Sequence, residues 1–169
     1  MTVRRMAAGI VGIPLILGLA GPVQASQAPT ISVAGPVLVI DGDTLDGAGT
    51  RVRLHGIDAP ESRQSCWNAS GEAWACGIQA TRALAAEVGD AEVICVGDRH
   101  DRYRRVIARC FLDGSDLNRW MVANGWAVAY RRFAPDYLRD EDGARADKVG
   151  VWSGTFMMPW DWRAAQPRR

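Results

Sequence analysis

Two hydrophobic periods run along this chain. Arg51-Val52-Arg53-Leu54-His55 alternates at every second residue, which predicts a strand with its arginines on one face. Between Ser70 and Glu87 the small and apolar residues Ala73, Cys76, Ala80 and Leu84 recur at three- and four-residue spacing. Val88 continues the series and Gly89 stops it, so this stretch predicts a helix. Residues 92–96 and 105–112 are β-branched runs, and the charged loop 97–104 joins them as a pair of strands.

Upstream, residues 37–40 form a short β run that Asp41-Gly42-Asp43 interrupts as a bend, and residues 45–49 are a glycine-rich hairpin signal. Downstream of the turn Asp113-Gly114, Ser115 is placed to cap a second helix that runs to Ala123 and ends at Asn124-Gly125. Pro135 fits the first turn of a third helix reaching Lys148. The order β-β-β-α-β-β-α-α predicts an α+β, mainly β domain: a five-stranded barrel of the OB type with three helices. The same hydrophobic pattern is compatible with other α+β folds.

The N-terminus follows a different logic. Arg4 and Arg5 precede an almost wholly apolar stretch, residues 6–20, and Val23-Gln24-Ala25 offers a small-residue cleavage site. This is the anatomy of a secretory signal peptide. Pro14 and several glycines argue against a retained membrane anchor. The expected organisation is a signal peptide over 1–25, a flexible lead-in over 26–36, one domain over 37–163 and a tail over 164–169. The mature protein is expected to be secreted or periplasmic, monomeric and without stable membrane association. Residues 1–25 hold two arginines and no acid, so the remainder carries a net charge of −1. Affinity for a polyanion would therefore have to come from a local cluster.

Export gives the four cysteines a reading. An oxidising compartment favours disulfides, and four cysteines allow three connectivities. The pairing local in sequence is expected: Cys66–Cys76, and Cys95–Cys110 across the predicted 92–96/105–112 hairpin. No Cys-x-x-Cys pair is present and His55 and His100 are isolated, which argues against zinc.

Two acidic bends flank the first hairpin. Asp43 and Asp58 lie at the ends of strands that the hairpin makes neighbours, so their carboxylates can converge as hard oxygen ligands for Ca²⁺ or Mg²⁺. Glu61 follows Asp58 by three residues, beyond Pro60, in reach of a water at such a metal. Arg53, on the strand itself, carries a guanidinium able to fork onto a phosphate. Taken singly, each motif is ordinary turn chemistry; their combination is what points to catalysis. The loop Asp98-Arg99-His100-Asp101-Arg102-Tyr103-Arg104-Arg105 adds arginines that can neutralise phosphates and an aromatic that can stack on a base.

VIDGDT, RVRLHGIDAPES and DRYRRVIARC, in that order, resemble the staphylococcal nuclease (thermonuclease) family, from about Val37 to Trp162. The resemblance implies an OB-fold barrel with three helices and calcium-dependent cleavage of DNA and RNA that leaves 3′-phosphates. It places the calcium-binding aspartates on Asp43 and Asp58 and a backbone carbonyl ligand on Ala59. The catalytic glutamate falls on Glu61 and the catalytic arginines on Arg53 and Arg105. Nucleotide-contacting tyrosines fall on Tyr103 and Tyr130. Arg104 stands where the family usually has glycine. The alternatives are a non-catalytic OB-fold binder of single-stranded nucleic acid and an exported domain that uses calcium only for stability.

Overall fold

The alternating 51–55 stretch forms the strand it predicts, with Val52 and Leu54 fully buried. A computed structural model describes residues 30–132 and 134–167; the expected signal peptide lies outside them. In chain order the elements are β1 (Ile31–Gly35), β2 (Leu38–Asp41), β3 (Thr44–Gly47), β4 (Thr50–Leu54) and β5 (Ile57–Asp58). Then follow β6 (Cys66–Trp67), β7 (Ala73–Trp74), α1 (Cys76–Val88), β8 (Val93–His100) and β9 (Val106–Leu112). The remainder is β10 (Ser115–Asp116), α2 (Leu117–Ala123), β11 (Val128–Ala129), α3 (Leu138–Ala146), a 3₁₀ turn at Gly150–Ser153 and α4 (Pro159–Ala165).

The main sheet runs in the order β1-β8-β9-β4-β3-β2, with β10 added to β9. All its pairings are antiparallel except β4 with β9, where Val52 lies opposite Val106 and Leu54 opposite Ala108. The sheet curls, so that β1 packs back over β3: a β carbon built on Gly47 would lie 2.6 Å from Val33 Cγ1. Leu45, Val52, Leu54, Val93 and Val106 fill the enclosed face, and Leu84 of α1 and Met121 of α2 close over them. The α+β class and the OB-type architecture thus stand.

Asn118, the second residue of α2, is fully buried and satisfied. Its Oδ1 accepts from the Cys110 N–H at 3.0 Å, and its Nδ2 donates to the carbonyls of His55 and Ala108 at 2.9 and 3.2 Å. One side chain therefore fastens α2 to β9 and to the residue that follows β4. Both expected disulfides form. Cys95 and Cys110 are directly opposed in the β8–β9 register, as a hairpin with those cysteines facing each other requires.

Several expectations need correction. The lead-in is not wholly flexible, because residues 31–35 form β1 against β8. The main sheet has seven strands, and a fourth α-helix stands among the described residues. The first helix begins at Cys76, because β6 and β7 form a small hairpin whose turn is tied by Asn68 Oδ1 accepting from the N–H groups of Ser70 and Glu72. Asp116, not Ser115, caps α2 by accepting from the Arg119 N–H at 3.0 Å. The third helix begins at Leu138. The end of the chain is not simply a tail, since α4 runs on to Ala165. No helix among the described residues is long and apolar enough to cross a membrane.

Candidate active site

The two acidic bends meet because the loops that carry them are pressed together. A β carbon on Gly42 would lie 2.6 Å from the Ala59 β carbon, so only glycine permits this approach. Asp41 Oδ1 accepts from the Asp43 N–H at 3.0 Å, which shapes the bend and turns Asp43 inward. Asp43 is almost fully buried; its Oδ2 accepts from the Ala59 N–H at 2.9 Å and its Oδ1 from the Thr44 hydroxyl at 3.3 Å. Asp58, in β5, is completely buried. Its strand is held by β11, with Val128 opposite Asp58.

Arg53 joins the two acids. Its guanidinium pairs with Asp43 and donates through Nη2 to Asp58 Oδ1 at 2.8 Å and to the Ile57 carbonyl at 3.3 Å. Burial pulls its pKa below the ordinary arginine value, opposed chiefly by Asp58, and a guanidinium in that state is still charged at neutral pH.

Glu61 is partly exposed at the mouth of the same site. Two contacts fix its loop. Gln64, itself buried, accepts from the Glu61 N–H at 3.2 Å and donates to the Met157 carbonyl at 2.6 Å. Gly77, at the start of α1, admits the Glu61 backbone so closely that a side chain there would collide with it.

The second arginine comes from the β8–β9 loop. Asp101 organises that loop: its Oδ1 accepts from the N–H groups of Tyr103 and Arg105 at 2.8 and 3.0 Å. Its Oδ2 accepts from Arg105 Nε at 2.8 Å and lies 2.7 Å from Nη2. Arg105 Nη1 reaches the Thr44 hydroxyl at 3.3 Å, next to Asp43. Tyr103 is 64% exposed, with the guanidiniums of Arg102 and Arg105 at 4.8 and 5.5 Å from its ring centre. Exposed aromatic surface flanked by arginines suits an unpaired base and its phosphate. Arg104 adopts φ +64°; the left-handed backbone there is what a glycine accommodates without strain.

A cleft of about 720 Å³ collects these groups: Asp43, Arg53, Glu61, Tyr103, Arg105 and Tyr130 line it, with Asp41 and Asp101. Asp58 lies beneath it. Thus the catalytic, metal-site and nucleotide-site candidates read from the sequence fall in or against one cleft, Ala59 through its N–H bond to Asp43. Tyr130 stacks on Trp160 of α4, ring centres 5.6 Å apart and planes 8° from parallel. His55 also lines the cleft; burial holds it below its ordinary pKa, and its Nε2 stands 3.7 Å from Asp136.

Four site residues escape sequence reasoning. Asp41 and Asp101 sit inside the very motifs quoted, and their spacing of two and four residues from Asp43 and Arg105 is the turn signal that would have marked them. Gln64 carries no signal. Arg163, from α4, donates to Asp58 through Nη1 at 3.0 Å and Nη2 at 2.8 Å, and to Glu61 Oε1 at 2.7 Å. Burial opposes its charge, but bonds to Asp58 and Glu61 outweigh that and hold its pKa above the ordinary value.

The donor set fits a hard cation. Among the described residues no group of three or more His, Cys, Asp and Glu gathers as a metal cluster, so a cation here would rest on two carboxylates and a backbone oxygen. Asp43 and Asp58 supply oxygen only and are bridged by one guanidinium; carboxylate oxygens of this kind suit a hard divalent cation.

A family profile described as "Staphylococcal nuclease homologue" matches residues 51–154. The chain is 36% identical over 123 residues to the "Succinoglycan biosynthesis protein ExoI" of Rhizobium meliloti (strain 1021), covering 71% of this chain and 64% of that protein. It is 32% identical over 147 residues to the "Micrococcal nuclease" of Shigella flexneri, covering 76% and 79% of the two chains. An "Uncharacterized endonuclease" of Escherichia coli is 31% identical over 135 residues, covering 75% and 82%.

Proposed function

The chain belongs to the staphylococcal nuclease family, and on that premise we propose that it is an exported, calcium-dependent endonuclease that hydrolyses phosphodiester bonds of DNA or RNA and leaves 3′-phosphates. The observation that supports this reading is the convergence of Asp43, Arg53, Glu61 and Arg105 on one cleft directly above Asp58. A binding domain needs positive charge and aromatic surface; it does not need two buried carboxylates bridged by an arginine.

In this reading Asp43 and Asp58, with the Ala59 carbonyl, hold the cation. The cation, when bound, supplies Lewis-acid polarisation of the scissile phosphate. Glu61 takes the proton of the attacking water. Its Oε1 is engaged by Arg163, and its Oε2 has no protein partner among the described residues, so one oxygen is available to the water. Arg53 pairs with Asp43 directly, and Arg105 reaches the Thr44 hydroxyl that donates to it. They stabilise the negative charge that grows on the phosphoryl oxygens, where fixed donors contribute most. Tyr103 and Tyr130 provide the aromatic faces for the nucleotide.

The test is cleavage of single-stranded DNA and RNA by disulfide-intact protein in Ca²⁺ or in EGTA, beside Glu61→Gln and Arg105→Ala. Each variant is expected to lose on the order of 10²–10⁴ in kcat, and EGTA to abolish turnover. Wild-type turnover in either variant would end this assignment of roles. Retained binding with no cleavage in any condition would make the protein a binder of single strands.

A further inference from the structure

α4 is a short helix whose contacts with the body converge on the site. Met157, just before it, is held by Gln64, the residue that also fixes Glu61. Trp160 stacks on Tyr130. Arg163, one turn further on, lies against the acids. Its two terminal nitrogens engage both oxygens of Asp58, while Nη1 also reaches Glu61.

A carboxylate has about four acceptor positions on its two oxygens. Asp58 Oδ1 already takes one bond from Arg53 and one from Arg163, and Oδ2 takes a third from Arg163. A two-nitrogen fork lies along the open edge of the carboxylate, the edge through which a cation would be ligated. Charge acts in the same direction at Asp58 itself: a divalent cation added beside Arg163 would set two cations on the same edge of one carboxylate.

We propose that Arg163 is a third active-site arginine that occupies the cation's place on Asp58 and Glu61, and that Asp58 ligates a divalent cation only when Arg163 lets it go. The proposal rests on the reading of Asp43 and Asp58 as cation ligands. Release needs only the side chain to swing, because Trp160 on Tyr130 and Met157 on Gln64 keep α4 in place. The freed guanidinium stays at the rim of the cleft beside Arg53, where a substrate phosphate is its next partner.

The test is calorimetric titration of disulfide-intact protein with CaCl₂ at low ionic strength, without nucleic acid. It compares wild type, Arg163→Ala, Arg163→Gln and Asp58→Ala, and records melting temperatures with and without Ca²⁺. Both Arg163 variants are expected to bind Ca²⁺ at least about tenfold more tightly than wild type, to melt lower than wild type in EGTA, and to regain most of that difference in saturating Ca²⁺. Arg163→Gln keeps the length and polarity of the side chain, so it serves if Arg163→Ala folds poorly. Unchanged or weaker Ca²⁺ binding in both Arg163 variants, with binding lost in Asp58→Ala, would overturn the proposal and leave the cation site standing. Unchanged binding in Asp58→Ala would overturn the cation site and the proposal together.

Discussion

Gly77 of α1 lies against the backbone carbonyl of Glu61: a β carbon built there would fall 1.8 Å from that oxygen and 2.5 Å from its carbon. The start of the first helix and the loop of the proposed general base therefore share one space that only glycine leaves open. Gly77→Ala must push the Glu61 loop away, against the bonds of Gln64 that hold it. The expected result is a stability loss of about 3 kcal/mol by denaturant titration, typical of overpacking against backbone. Activity at a temperature where the variant is folded should also fall, because the carboxylate leaves its position. A variant with wild-type stability and turnover would show that the loop tolerates the displacement.

Arg104 is the residue for which the resemblance and the structure meet most directly. The family resemblance puts glycine there, and the backbone at φ +64° explains why. An L-residue in this conformation costs about 1–2 kcal/mol, part of which glycine returns through the greater freedom of the unfolded chain. Arg104→Gly is therefore expected to stabilise by about 0.5–1 kcal/mol, seen as a higher urea midpoint at unchanged slope. It also removes a charge from the loop that carries Tyr103, so affinity for single-stranded DNA should drop uniformly across sequences, with a shallower dependence on salt.

What could be read from the sequence divides by distance along the chain. The 51–55 strand follows from period-two alternation, and the 92–112 hairpin with its Cys95–Cys110 pair from two β-branched runs joined by a short charged loop, all between near neighbours. Asp43 and Ala59, sixteen residues apart, come together because a hairpin lies between their bends. Arg163 is 105 residues from Asp58, and nothing local in Trp160-Asp161-Trp162-Arg163 tells where that short helix docks. β1 is hidden in the sequence for a related reason: Ile31-Ser32-Val33 is ordinary for a strand, but Pro29 and Pro36 beside it read as a linker until β8 is there to pair with it. The helical spacing overshoots α1 at its start because Ala73 falls on that spacing while sitting in β7.

The β8–β9 disulfide closes a loop of 15 residues within the hairpin. Chain-entropy arguments assign about 3 kcal/mol to a loop of that size. Replacing both Cys95 and Cys110 with alanine also opens space in the core, since both side chains are fully buried. The double variant is expected to lose about 3–5 kcal/mol, measured by thermal or urea unfolding, with the site's residues otherwise in place. Opening the Cys66–Cys76 bridge instead loosens the segment between Glu61 and α1, so it should lower turnover out of proportion to its effect on stability.

Asp101 gives a prediction with a sign in pH. Burial alone would push its carboxyl up, but bonds from the Arg105 backbone and side chain and from the Tyr103 backbone outweigh it, so its pKa is lower in the folded protein than in the unfolded chain. Between the two values the unfolded chain binds more protons, so the contribution of Asp101 to stability is fully present above the unfolded pKa of about 3.9 and disappears as pH falls through the folded value. Asp101→Asn cannot make that contribution at any pH. The stability gap between wild type and the variant, measured by urea unfolding, should therefore be constant from about pH 5 upward and shrink steadily below pH 4. Turnover at neutral pH should fall by about tenfold or more, because Arg105 loses the carboxylate that aims it past Thr44. A gap that widens on acidification would mean that Asp101 is held for a reason other than its pairing with Arg105.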